Sequence, residues 1–233
     1  MQMPDVNWTH SQTHHYLHGL RLTQLVNLLA GPQANEKTNY DAVRHAGLMQ
    51  LLADWSLPLA VAKGSSHNHQ AWEGGLKDHM AAMLRIAVPL YLRTALDFKG
   101  EEEKIPYTLQ QVVLVVLLHD AEKWPRYGPP EHPLCTAWHH KAQEHAELSA
   151  MGLSEPDLPT AWYALAELII EEWDKRYNLS ITGYERNALK YAHGEAAESH
   201  SKNERLMKEL GAFLHMLDTE SARIGHSHGQ GLG

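Results

Sequence analysis

An all-α fold is what this sequence predicts. Apolar residues recur at three- and four-residue spacings along most of the chain, as in Leu17, Leu20, Leu25, Leu28 and Leu29. Breaker-rich stretches such as Gly31-Pro32, Gly64 to His69 and Tyr127 to Pro133 punctuate them. No linker cleanly divides the 233 residues and no solenoid repeat is visible, so a single domain is expected.

The elements follow in order. Trp8 to Ala30 reads as a helix stopped by Gly31-Pro32. Asn39 to Trp55 is a second helix, with Val43, Ala46, Leu48, Leu51 and Leu52 near helical spacing. These first 60 or so residues are expected to form an additional helical layer. Gly64 to His69 is a polar loop, and Gly74-Gly75 opens a third helix reaching about Phe98. Gly100 to Lys104 is a charged connector. A fourth helix follows Pro106 and ends near Trp124-Pro125. Its run Val112 to Leu118 is also compatible with a buried strand, but Tyr107 to Lys123 continues without a breaker and favours helix. Trp138 to Met151, Pro159 to Tyr177, Tyr184 to Glu198 and Lys202 to Arg223 complete the set. The Gly- and His-rich tail 225–233 reads as disordered.

Composition narrows the function. The formal charge of −8 argues against a nonspecific nucleic-acid coat, which needs clustered cations. The longest apolar run, Val112 to Leu118, is too short to span a bilayer. One cysteine, Cys135, and no visible secretory signal lead to the expectation of a cytoplasmic protein. Eighteen histidines are the feature a function must explain.

Four segments carry chemistry: Trp72-Glu73-Gly74-Gly75-Leu76-Lys77-Asp78-His79, His119-Asp120-Ala121-Glu122-Lys123, Glu144-His145, and His215 to Arg223 with Asp218 at its centre. Tyr191-Ala192-His193-Gly194 adds a further histidine. Together, over about residues 64 to 224, they resemble the HD-domain metal-dependent phosphohydrolase superfamily, in its Gly-Gly-Leu-x-x-His and His-Asp-x-x-Lys form. The resemblance implies a compact HD-type helical bundle. It implies metal ligation by His79, His119, Asp120 and Asp218, with His145 and His193 as ligands to a second ion and Asp120 bridging. His193 is followed by Gly194 where many relatives carry another histidine.

Four histidines and two aspartates make a mixed nitrogen and oxygen site, which suits one or two ions of Mn, Co, Fe, Ni or Zn better than Ca or Mg. Such an ion activates water for attack on phosphorus. Asp120 and Lys123 are the candidate catalytic groups. His69, Trp72, Lys123, Arg126 and Tyr127 are the candidate substrate contacts. The expected activity is hydrolysis of phosphoester or phosphoanhydride bonds in small nucleotides. Alternatives are a phosphodiesterase or 3′-5′ exonuclease acting on cyclic nucleotides or nucleic-acid ends, a di-iron oxygenase on the same scaffold, and an inactive nucleotide-binding module. No membrane partner is expected, and the sequence leaves the oligomeric state open.

Overall fold

The computed structural model describes residues 16–32, 41–65, 70–97, 105–150, 158–195 and 206–228. Among these residues there are helices and turns and no strand. The helices are α1 (Leu22–Ala30), α2 (Ala42–Asp54), α3 (Ser56–Val61), α4 (Gly75–Asp97), α5 (Leu109–Leu118), α6 (Lys123–Tyr127), α7 (Pro133–Ala150), α8 (Leu158–Tyr177), α9 (Gly183–Lys190) and α10 (Glu209–His228).

Helix α5 is the axis of the fold. Thr108 caps it, its side chain accepting from Gln111 N while Gln111 answers to the Thr108 backbone. Every residue of α5 except Gln111 is buried. The helix is therefore apolar all round, which is why Val112 to Leu118 carries no one-sided periodicity and reads equally as strand. Around it pack α1, α4, α9 and α10. α2, α3, α6, α7 and α8 extend the assembly on the side where α2 meets α8 and α3 meets α6. Trp55, Trp124 and Trp173 interlock there, with ring centroids 5.0–6.1 Å apart. Trp138 and Trp162 are buried as well, so these tryptophans serve packing.

Buried polar side chains stitch the N-terminal helices to this core. Gln110 Nε2 donates to the carbonyls of Ala30 and Asp41, at 3.1 and 3.0 Å, joining the end of α1 to the start of α2. Arg44 donates to Glu185 Oε1 at 2.6 Å and to the carbonyls of Leu179 and Ser180. The loop it grips holds Asn178 and Ser180 at positive φ. The described residues 16–32 and 41–61 thus share one hydrophobic core with the remaining helices.

Several boundaries, and the burial of one residue, differ from the sequence expectation. The first helix is interrupted: residues 16–18 are helical, the chain turns at 19–21, and α1 starts at Leu22. Arg85 stabilises that break, donating to the carbonyls of Leu17 and Leu20. Val43 is exposed, while Leu48, Leu51 and Leu52 are buried. The fourth helix stops at Leu118. The next residues turn through i→i+3 bonds, from Ala121 N to Leu118 O and from Lys123 N to Asp120 O, before α6 begins. Pro133 starts α7 instead of ending a loop, as proline at a first helical position can. The backbone of α10 continues to His228, three residues past Gly225, and 229–233 lie outside the described residues. No helix among the described residues is long and apolar enough to cross a membrane.

Candidate metal centre

His79 lies in the second turn of α4. The inward face of that helix runs Leu76, Met80, Met83, Leu84 and Ala87, and His79 falls on it between Leu76 and Met83. The two glycines before it are required by space. Gly74 has φ +75°, and a Cβ on Gly75 would stand 1.9 Å from the Gln70 carbonyl oxygen. Trp72 Nε1 donates to Asp78 Oδ2 at 2.9 Å, closing the loop onto the first turn of α4.

His119 and Asp120 occupy the tight turn after α5, directly beyond the fully buried stretch Val112 to Leu118. From α10, Asp218 and Ser221 reach toward α4 from one face, three residues apart. His79, His119 and Asp120 are all buried, and they offer ligand atoms within 4.8 Å of one another. The two histidine Nε2 atoms are 3.3 Å apart. Asp120 Oδ2 is 3.1 Å from His119 Nε2 and 4.0 Å from His79 Nε2. Asp218 Oδ1 is 3.2 Å from His79 Nε2 and 3.9 Å from His119 Nε2.

The opposite edge of each imidazole is fixed. His119 Nδ1 is 2.8 Å from the Val116 carbonyl oxygen, so it is the protonated nitrogen. Ser221 Oγ donates to the His79 carbonyl at 3.4 Å, which leaves it to accept from His79 Nδ1 at 3.0 Å. Both rings therefore aim Nε2 at each other and at the Asp120 and Asp218 carboxylates. Such a convergence of ring nitrogens and carboxylate oxygens is satisfied by shared protons or by a metal cation. Asp120 Oδ1 points the same way: it is buried, with no hydrogen-bond partner among the described residues. The donor set therefore fits a bound metal ion.

The same proximity shifts the titration of the site. Burial pushes the Asp120 carboxyl up, but His119 and Lys123 together hold it well below the usual range. Asp218 is likewise depressed, its burial outweighed by hydrogen bonds from His193 and His79. Burial lowers His79. Burial also pulls on His119, but the Asp120 carboxylate overcomes it and raises the ring to about 9. Glu122 moves the other way, raised to about 7 by burial and then by Asp120.

The other predicted residues divide. His193, exposed in the turn after α9, places Nδ1 3.2 Å from Asp218 Oδ2 and Nε2 3.7 Å from Asp120 Oδ1. Lys123 Nζ donates to Asp120 Oδ2 at 2.7 Å. His145 is exposed on α7, which packs against α6 and α8, and is not part of the buried triad. Arg126 lies over the Tyr127 ring at 5.0 Å and the Tyr163 ring at 5.8 Å. Trp72 is at the surface and tied to Asp78. His69 lies outside the described residues. Sequence reasoning gave no role to Ser221, whose only signal was its place one turn beyond Asp218. It also missed Tyr163, which comes from a distant helix. Comparison with family models, with curated proteins and with solved structures finds no match.

Proposed function

We propose that this protein is a metal-dependent phosphohydrolase of the HD type, cleaving phosphoester or phosphoanhydride bonds of small nucleotides. The observation that carries the reading is the convergence of His79 Nε2, His119 Nε2 and Asp120 Oδ2, with both Nδ1 atoms tied back to the chain. These three residues would hold the ion, with Asp218 Oδ1 beside them. Asp120 Oδ1, Asp218 Oδ2 and His193 would face a second. A divalent Mn, Fe, Co, Ni or Zn suited to such a set acidifies water and polarises a phosphoryl oxygen.

The chain's own groups fit an anionic substrate. Lys123 and Arg126 are three residues apart on α6 and share a face. Tyr127 and Tyr163 orient the Arg126 guanidinium, so Tyr127 acts through the arginine rather than by stacking on a base. Glu122 holds a proton close to neutral pH beside Asp120. The preference for small nucleotides over polymers rests on the net charge of −8 and on the family resemblance of the motifs.

The test joins elemental analysis to a substrate panel of nucleoside mono- and triphosphates and a labelled oligonucleotide. Wild-type protein is expected to carry transition metal and to release phosphate from mononucleotides. Asp120→Ala is expected to lose both properties. Wild-type metal content and turnover in Asp120→Ala would overturn the reading. Trimming of the oligonucleotide with inert mononucleotides would move the assignment to a 3′-end exonuclease.

A further inference from the structure

The carboxylate oxygen that completes the triad is already bound by a cation belonging to the chain. Asp120 Oδ2 faces His119 Nε2 at 3.1 Å and Lys123 Nζ at 2.7 Å. The lysine is folded back over its own turn, since its backbone N–H also bonds the Asp120 carbonyl. Its side chain is 14% exposed and that of Asp120 1%, so water screens the contact poorly. An ion bound through Oδ2 would stand within a few ångströms of this ammonium and repel it. The hydrogen bond and the ion draw on the same oxygen.

We infer that Lys123 is a resident counter-cation that competes with a divalent ion for Asp120 Oδ2, and that metal loading turns its ammonium outward to receive an anionic oxygen of the substrate. The inference rests on the metal-binding part of the proposed function and extends it: metal and anion bind cooperatively, each favouring the other. A lysine that merely orients the carboxylate makes the opposite prediction, because its loss would weaken metal binding. A buried carboxylate stripped of its partner cation is an uncompensated charge, and an incoming ion relieves it.

The experiment measures Zn(II) affinity, by competition with a chromophoric chelator, for the wild-type chain, Lys123→Met and Lys123→Arg. Lys123→Met is expected to bind zinc about tenfold more tightly than wild type. Lys123→Arg, which keeps the charge, is expected to stay near wild type. In parallel, acetylation of Lys123 in the wild-type chain, read by peptide mass spectrometry, is expected to rise when zinc saturates the protein. This second measurement decides the matter if Lys123→Met does not fold. Equal or weaker zinc binding by Lys123→Met overturns the inference, as does Lys123 acetylation that zinc leaves unchanged. Failure of zinc to bind the wild-type chain and both variants removes the metal reading itself. Zinc bound equally by all three leaves that reading standing and removes only the competition.

Discussion

Each buried imidazole is locked through its far nitrogen, and the two locks differ in kind. His119 is held by the Val116 backbone carbonyl, which no side-chain substitution removes. His79 is held by the Ser221 hydroxyl, which one can. Ser221→Ala is therefore expected to free the His79 ring and to lower metal affinity by about 10–100-fold, with α10 intact. Zinc competition checks the affinity and circular dichroism the fold; unchanged affinity would show that packing alone orients His79. At this scale, residues joined by short local patterns were legible. His79 follows its glycine pair at a fixed spacing, and His119 and Asp120 follow an apolar run that had to be buried. His145 stands in a neighbourhood that is helical and rich in histidine. The inward face of α7 runs Cys135, Trp138 and Ala142, and His145, seven residues past Trp138, lies at its exposed edge. Spacing counted along a regular helix does not place Glu122, which sits in a turn closed by i→i+3 bonds.

Between elements, the site depends on helices that bear no ligand. α9 ends in the turn that carries His193, and its first turn contains the buried Glu185. Glu185 Oε2 accepts from Thr182 N at 2.7 Å, capping α9, while Oε1 receives Arg44 from α2 at 2.6 Å. Both side chains are almost wholly buried, so removing one partner leaves a stranded charge. Arg44→Met is expected to cost about 3–5 kcal/mol of stability. Adding Glu185→Gln, which removes the stranded charge and keeps an amide oxygen for Thr182, is expected to recover part of it. Urea unfolding of the two variants checks this; equal stability of both would mean that the carbonyl contacts to Leu179 and Ser180, not the ion pair, carry the cost. Helix types and most cores could be read from the sequence at this scale. The pairing of α2 with α9 through one arginine could not, since the two residues stand 141 positions apart with no local pattern linking them.

Over the whole molecule, the all-α class was visible because nearly every segment repeats at helical spacing. The order of packing was not, because α5 is apolar on every side and so favours no neighbour by sequence alone. The core closed around α5 has a consequence for pH dependence away from the metal centre. Tyr107, at the start of α5, and Tyr177, at the end of α8, are both buried, and burial raises each hydroxyl to about 12. In the unfolded chain a tyrosine ionises near pH 10, so between about pH 10 and 12 the unfolded state releases protons that the folded state keeps. Stability from these two groups is thus fully present below pH 10 and falls as pH rises toward 12. Tyr107→Phe removes one of them while keeping the ring that packs 5.3 Å from Phe213, and it leaves the Tyr107 carbonyl free to accept from Tyr91. Urea unfolding at steps from pH 8 to 11.5 should show a shallower alkaline decline in Tyr107→Phe than in wild type. The two curves should run parallel below pH 10, where neither state ionises the hydroxyl. An identical decline in both would mean that the hydroxyl meets water in the folded chain, and that the packing of Tyr107 against α10 is looser than the contact with Phe213 describes.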